Sequence, residues 1–340
     1  MPTVLSYADT RNFRNLYASW YNKNASLDGG DKHAFLRLRE DIFSAHHRPK
    51  FQLSKENSFF LIGSCFARGL ERILAFRGFD VRSASEEFKR WELQYEKASA
   101  IGITNRYNSA SICNEVNWHV LGNGAPEETL IETHNGLYFD PHATPVVAPA
   151  SLEEQRARRK VWTGICQNIV KVDVVVITLG LVEVWYDKEV GIYCNTAPDA
   201  RLAKKYPDRF EIHFLNYNDN MKNLERIHSI LTAENPDIKI IVTVSPVPLL
   251  KTFSLDDIVT ANTYSKSTLR AVAADFVRSH SNVDYFPSYE IAMNSSRDIV
   301  WAEDKRHVQG KFSRNIMAQF LAYYLGDIEV MEEFDIEVLG

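Results

Sequence analysis

The 340-residue sequence contains few cysteines and no apolar run long enough to cross a membrane. The longest candidate stretches, Val172–Leu181 and Ile238–Val244, have the length of a β-strand, whereas a membrane helix needs about 20 apolar residues. The four cysteines are far apart and form no CxxC pair: Cys65, Cys113, Cys166 and Cys194. This spacing argues against a disulfide framework or a paired-cysteine zinc site, and it favours reduced thiols.

The sequence also lacks a strong excess of charge of either sign. Its formal net charge is -5 and its isoelectric point is about 6.1, so neither nucleic acid nor an anionic membrane is indicated as a partner. Residues Met1–Phe13 carry Asp9 and Arg11 and contain no apolar segment of the kind found in a signal peptide. We therefore expect a cytoplasmic protein without a membrane span.

Apolar runs of strand length alternate with segments of helical periodicity. Ser58–Ile62, Asp173–Thr178 and Ile238–Val244 are typical of parallel strands that are buried on both faces. The first of these runs is followed by Phe66 and Leu70, whose spacing of four residues places them on one helix face. The alternation predicts an α/β fold, a three-layer αβα sandwich around a central, mostly parallel sheet.

The composition divides the chain into a core and its additions. Residues 51–330 are expected to form one α/β domain, with residues 1–50 as an N-terminal arm that packs on it. Residues 331–340 are expected to form a C-terminal tail. The stretches 122–150 and 186–218 carry much of the glycine, proline, asparagine and aspartate, so we interpret them as insertions at the edge of the sheet.

Ser64 is the first candidate for chemistry, because Gly63-Ser64 follows the first core strand and precedes a helix. A serine on such a turn exposes its hydroxyl, and the helix N-terminus offers backbone N–H groups to a developing oxyanion. The alternative is that Ser64 caps the helix, which is a common role for serine. Cys65 is a rival nucleophile, since a thiol in the first turn of a helix can have a lowered pKa.

Asp304 and His307 form the second candidate, just before the last predicted helix. A serine hydroxyl needs a base within hydrogen-bond reach, and histidine suits this role at neutral pH. A carboxylate three residues earlier can fix the tautomer of the ring. The alternative is a solvated aspartate and a surface histidine in a charged segment.

The order of these features along the chain resembles that of the SGNH (GDSL-type) hydrolases. A closer resemblance is to the GSCFA family, whose name motif stands unaltered at Gly63–Ala67. Four further blocks resemble the family motifs in the same order: Thr178–Trp185, Thr243–Leu249, Ala261–Lys266 and Tyr285–Glu290. The resemblance covers residues 50 to 325. It implies an SGNH-hydrolase-like fold with flavodoxin-like topology.

The resemblance also implies roles for individual residues. Ser64 would be the nucleophile, His307 its base and Asp304 the group that orients the base. The superfamily completes its oxyanion hole with the serine N–H, a glycine N–H and an asparagine side chain. Here Gly180 stands at the glycine, but Val182 stands where the asparagine is expected.

Asn108 is the candidate replacement for the missing amide, with helix capping as the equal alternative. Four residues near the site elements are candidates for substrate binding: Glu183, Trp185, Arg106 and Lys266. Their alternatives are packing, capping or a solvated surface.

Together these features predict a serine-dependent acyl-ester hydrolase or O-acyltransferase that acts on a carbohydrate or other polar ester through an acyl-Ser64 intermediate. No metal or cofactor is required, although a transferase would use an acyl donor such as acetyl-CoA. The alternative is a glycan-binding or scaffold protein that keeps the fold without catalysis. The predicted partner is a small-molecule or glycan ester.

Overall fold

A computed structural model describes residues 4–11, 15, 17–21, 33–84, 104–122, 124–133, 135–144 and 147–326. The strands are β1 (Ser58–Gly63), β2 (Asp80–Val81), β3 (Ile131–Glu132), β4 (Tyr138–Phe139), β5 (Val174–Leu179), β6 (Glu183–Asp187), β7 (Ile192–Tyr193), β8 (Phe210–Phe214), β9 (Lys239–Val244) and β10 (Val283–Tyr285). The α-helices are α1 (Tyr7–Arg11), α2 (Ala34–Arg37), α3 (Cys65–Phe76), α4 (Ser109–Val120), α5 (Leu152–Cys166), α6 (Ala200–Lys205), α7 (Tyr217–Glu234), α8 (Ile258–Ser279), α9 (Ser288–Met293), α10 (Arg297–Val300) and α11 (Gly310–Leu325).

Five parallel strands form the central sheet, in the order β10-β9-β5-β1-β2. Read from β2, this is the 2-1-3-4-5 order of flavodoxin-like folds. The predicted α/β class with a mostly parallel sheet is confirmed. The observed β5 differs by one residue at each end from the predicted strand Asp173–Thr178.

Side chains on the two faces of the sheet enter two separate cores. In β1, Phe60 and Ile62 join the core formed with α4, α5, α7 and α8. Phe59 and Leu61 join the core formed with α3, α9 and α11. Because successive side chains of a strand point to opposite faces, an apolar run is what a strand between two helix layers needs. The sheet is therefore the middle layer of three.

The predicted additions to the core have the following structures. The stretch 122–150 contains the β3–β4 antiparallel pair, and 186–218 contains most of a small antiparallel sheet in the order β7-β6-β8. The predicted tail at 331–340 lies outside the described residues. None of the helices in the described ranges combines the length and apolarity that a bilayer crossing requires.

The described end of the predicted N-terminal arm contacts the body of the domain. The Phe43 N–H donates to Ser295 Oγ at 2.8 Å, and Gln319 Nε2 donates to the Phe43 carbonyl at 3.1 Å. His47 Nε2 lies 2.9 Å from Oδ2 of Asp284, which belongs to β10, the edge strand of the central sheet. Residues 43–47 therefore cover the edge of the α9 and α11 layer.

Candidate active site

Ser64 joins β1 to α3 at the N-cap position of the helix, but its side chain makes no capping hydrogen bond. The chain leaves β1 toward β2 on one side and returns at β5 on the other, so Ser64 lies at the switch point of the sheet. Ligands of open α/β sheets bind at this position. The Ser64 hydroxyl is buried, not exposed as the sequence predicted, and it has no hydrogen-bond partner among the described residues. A buried polar atom without a partner is uncommon and needs an explanation.

Gly63 and Gly180 allow the backbone to approach closely around Ser64. A Cβ on Gly63, whose φ is +146°, would lie 2.4 Å from the carbonyl oxygen of Thr178 on the neighbouring strand. A Cβ on Gly180 would lie 2.5 Å from the carbonyl oxygen of Tyr107. Neither contact is possible for a residue with a side chain, which explains the glycines in both sequence motifs.

Asp304 and His307 form the predicted pair. The Asp304 carboxylate accepts from His307 Nδ1 at 2.5 Å and from the His307 backbone N–H at 2.9 Å. These bonds, with one from the Arg306 backbone N–H, hold the pKa of Asp304 well below its usual range. Arg306 Nη1 lies 2.9 Å from His307 Nε2. Since arginine can only donate, Nε2 accepts and Nδ1 carries the proton, which is the tautomer of a general base.

The loop that carries this pair is anchored to the helix that follows Ser64. Trp301 is buried in the same core cluster as Phe66 of α3, and it pairs with Val308 across the loop. His307 itself is exposed and makes no hydrogen bond to Ser64. The loop is thus fixed at its base, while the imidazole is held at its tip by Asp304 and Arg306.

Lys266 lies below the site and is fully buried in α8. Its ammonium group donates to the carbonyl oxygen of Gly180 at 2.6 Å. Burial lowers the pKa of Lys266 to about 7, against the charge of Cys65, while Arg306 adds to the lowering. The structure therefore does not place Lys266 on a surface that faces substrate, as the sequence predicted, but beneath the Gly180 peptide.

Asn108 caps α4, which is the alternative that the sequence left open. Its Oδ1 accepts from the Ser111 N–H at 2.7 Å, and its Nδ2 donates to the Cys194 carbonyl at 3.3 Å. This amide is committed to the helix and to a neighbouring loop, because both of its ends have partners.

Asn105 lies beside the candidate site, and the sequence reasoning did not single it out. The residue after it, Arg106, donates its backbone N–H to the Gly63 carbonyl at 2.7 Å, next to Ser64. The Asn105 side chain is buried, its Nδ2 lies 3.3 Å from Tyr107 Oη, and its Oδ1 has no partner. If the amide is turned over, the tyrosine hydroxyl donates to Oδ1 and the NH₂ group takes the unpartnered position. The sequence offered two asparagines in one turn and no means to choose between them.

Arg106 does not carry its guanidinium to the substrate side, contrary to the prediction. Nε donates to Glu115 Oε1 at 2.7 Å, and the guanidinium stacks over Trp162 at 4.6 Å from the ring centroid. Arg106 is only 3% exposed. A buried arginine must be paired, and Glu115 satisfies that need inside the helix layer.

Glu183 and Trp185 contact a loop of the protein and do not line an open surface. The Glu183 carboxylate accepts from Thr252 Oγ1 and from the Phe253 N–H, each at 2.7 Å. Trp185 is half-buried, and its ring meets that of Phe253 edge to face at 5.1 Å. Both residues therefore fix the loop after β9 against β6, and substrate binding by either stays a prediction.

Cys65, the rival nucleophile, lacks the environment of a thiolate. Burial raises its pKa, and the charges of Arg306 and Lys266 offset only part of that effect. A reactive cysteine needs the opposite shift.

A second cluster of buried titratable groups lies in the helix layer, around a cavity. Glu115, His119 and Cys166 offer ligand atoms that all lie within 4.8 Å of one another. However, the Glu115 carboxylate already accepts from Arg106, His119 and the indole N–H of Trp162. These contacts account for both carboxylate oxygens, and Arg106 lowers the pKa of Glu115 against the effect of its burial. The cluster serves as a buried ion-pair network.

Three solved structures show low similarity to the chain. The family 3 carbohydrate esterase of Clostridium thermocellum has 10% identity over 80% of this chain and 96% of its own, with a TM-score of 0.31. A family two carbohydrate esterase from Clostridium thermocellum in complex with cellohexaose has 11% identity, 81% and 66% coverage and a TM-score of 0.33. A carbohydrate esterase family 3 protein from Talaromyces cellulolyticus has 17% identity, 45% and 60% coverage and a TM-score of 0.25. At these scores the likeness carries no argument about activity.

Comparison with known families gives a clearer result. No curated protein matches the chain. The model of the GSCFA family matches residues 58–320, which include Ser64, Gly180, Lys266, Asp304 and His307. The match begins at the first residue of β1 and ends within α11, so it spans the whole central sheet. The chain belongs to the GSCFA family.

Proposed function

We propose that the chain is a serine-dependent acyl-transfer enzyme, either an ester hydrolase or an O-acyltransferase, that acts on a carbohydrate or other polar ester. Ser64 Oγ attacks the ester carbonyl carbon while its proton moves to His307 Nε2. The bond to the leaving oxygen then breaks, and His307 returns the proton to that oxygen. Water or a sugar hydroxyl attacks the acyl-Ser64 ester in the same way, again with His307 as base.

The observation that carries the proposal is the state of the two reacting groups. The Ser64 hydroxyl has no partner among the described residues. His307 donates its Nδ1–H to Asp304, which leaves the lone pair of Nε2 as the acceptor. In structures without substrate, the hydrogen bond between nucleophile and base is often open and forms only in the complex. Arg306 occupies that acceptor here, so its guanidinium must leave before Ser64 can donate to His307.

The oxyanion needs donors, and the chain offers two kinds near Ser64. The backbone N–H groups at the start of α3 and at Gly180 remain candidates, with the helix dipole adding to the first. For the side-chain amide we propose Asn105 in place of Asn108, because Asn108 is committed to capping. With the amide turned over, the buried Asn105 atom that has no partner among the described residues is an NH₂ donor, and the peptide after Asn105 donates its N–H to the Gly63 carbonyl.

The experiment measures acetate release from O-acetylated methyl glycosides and from 4-nitrophenyl acetate. Wild type is expected to release acetate, Ser64→Ala to lose turnover, and Cys65→Ala, its matched neighbour, to keep most of it. Turnover that survives in Ser64→Ala but not in Cys65→Ala would assign the nucleophile to the thiol. Binding of acetylated glycosides by wild type without acetate release, and without acyl transfer from acetyl-CoA to a sugar, would favour a binding protein.

A further inference from the structure

Arg306 has an arrangement that the proposed mechanism does not require. Within the described ranges its side chain makes one hydrogen bond, to His307 Nε2 at 2.9 Å. Its Nε is buried and has no partner in the part of the chain that the structure describes. Among the described residues it forms no ion pair with any carboxylate, although neighbouring Lys305 pairs with Asp298. A guanidinium carries five donors in a fixed fork that matches a carboxylate or a phosphate, so most of this capacity is unused.

Arg306 also acts electrostatically on groups near Ser64. Its charge acts on Cys65, the residue after the nucleophile, and on Lys266 and Tyr107. Lys266, the second cation of this group, likewise makes no ion pair with a carboxylate in the described part of the chain, and its contact is the carbonyl of Gly180. Lys266 is therefore engaged beneath the Gly180 peptide, whereas Asp304 accepts the backbone N–H of Arg306 but none of its side-chain donors, which stay available for a ligand.

From this geometry we propose that Arg306 is a specificity residue that binds an anionic group on the ester substrate, a carboxylate or a phosphate on an acidic sugar. The inference rests on the proposed acyl-transfer function and names the substrate class. A bidentate bond to an anion is stronger than a bond to a neutral imidazole, so the substrate draws the guanidinium away from His307. His307 Nε2 is then open to accept the proton of Ser64. Neutral esters leave the Arg306 guanidinium hydrogen-bonded to His307 Nε2, so they react slowly.

The test compares O-acetyl methyl glucoside, O-acetyl glucuronic acid and O-acetyl glucose 6-phosphate as substrates of wild type, Arg306→Gln and Lys305→Gln. Lys305→Gln is the matched control, because it removes one positive charge from the same loop at an exposed residue. Wild type and the control should prefer one of the acidic esters by about tenfold or more in kcat/KM. Comparing kcat/KM for the glucuronic acid ester and the glucose 6-phosphate ester shows whether the site prefers a carboxylate or a phosphate. Arg306→Gln should lose this preference and react faster than wild type with the neutral ester.

A second readout does not depend on a cognate substrate. A fluorophosphonate probe should label Ser64 faster in Arg306→Gln than in wild type, and added glucuronate or phosphate should speed labelling of wild type and Lys305→Gln but not of Arg306→Gln. Equal turnover of neutral and acidic esters by wild type, or a preference that survives in Arg306→Gln, overturns the inference while leaving the proposed function intact.

If wild type neither turns over an ester nor reacts with the probe, the proposed function fails. Calorimetry with glucuronate and with phosphate then decides the inference by itself. Binding to wild type that is lost in Arg306→Gln and kept in Lys305→Gln supports an anion site. Equal binding, or its absence in all three proteins, overturns it.

Discussion

Lys266 Nζ donates to the carbonyl oxygen of Gly180 from a fully buried position, at 2.6 Å. The N–H of the same peptide, on Leu181, donates to the carbonyl oxygen of Tyr107 at 3.0 Å. The peptide after Gly180 is thus held at both ends, beside the strand end that carries Ser64. We expect this arrangement to fix the orientation of the Gly180 segment before any substrate binds.

Lys266 should make folding stability depend on pH. Burial lowers its pKa in the folded chain to about 7, well below that of an exposed lysine, so above pH 7 the unfolded chain keeps a proton that the folded chain releases. Stability rises with pH wherever the unfolded state binds more protons. Wild type should gain up to about 2 kcal/mol relative to Lys266→Met between pH 7 and pH 8.5. Urea unfolding of both proteins at the two pH values measures this, and parallel changes would mean that Lys266 stays charged.

Gly180→Ala should be destabilising because its Cβ would lie 2.5 Å from the backbone oxygen of Tyr107. We expect a loss of about 1–3 kcal/mol, since backbone must move to relieve the overlap. Gly164→Ala is the control: a Cβ there meets nothing within 4 Å and sits inside α5. It should stabilise by about 0.5–1 kcal/mol through helix propensity. Similar unfolding midpoints for the two variants would contradict the close approach at Gly180.

The two asparagines of the turn before α4 should respond differently to replacement. Asn105→Ala should lower kcat by about 10²–10³ with little change in KM or melting temperature, as expected for an oxyanion donor. Asn108→Ala should lower stability by about 0.5–2 kcal/mol through loss of the cap and leave most of kcat. Kinetics and thermal melts of both variants separate the roles. A large loss of kcat in Asn108→Ala alone would return the oxyanion role to Asn108.

Asp304→Asn should impair the base without unfolding the protein. The amide can no longer accept from both His307 Nδ1 and the backbone, so the tautomer with a free Nε2 lone pair loses its support. We expect kcat to fall by at least about 10²-fold, the scale of general-base catalysis, while the melting temperature changes little because the pair is exposed. An unchanged kcat would show that Asp304 does not support His307 as the base.

The sheet could be predicted from the sequence because the information there is local. The run Val174–Leu179 is β-branched or leucine throughout and buried at every position, as expected of a strand between two layers. The cap of α5 is equally local, because the Ser151 side chain accepts from the Glu154 N–H, three residues later, at 3.2 Å. Signals of this kind depend on neighbours within a few residues.

The site could be predicted only in part because the rest depends on contacts between distant segments. Arg106 turns inward since Glu115 and Trp162 come to it from two helices, and its own sequence context does not show this. Lysine usually lies at the surface. Lys266 is buried instead, and its ammonium group donates to the carbonyl of Gly180, 86 positions earlier in the chain. Burial of a charged side chain is set by tertiary pairing, which helical periodicity does not report.

The central claim is that Ser64 is a nucleophile activated by His307. The most direct test is fluorophosphonate labelling followed by peptide mass spectrometry of wild type, Ser64→Ala, His307→Ala and Cys65→Ala. We predict a single adduct on the peptide that contains Ser64 in wild type and Cys65→Ala, with labelling abolished in Ser64→Ala and strongly slowed in His307→Ala. An unlabelled wild type, or labelling that persists at the same rate in His307→Ala, would contradict the account.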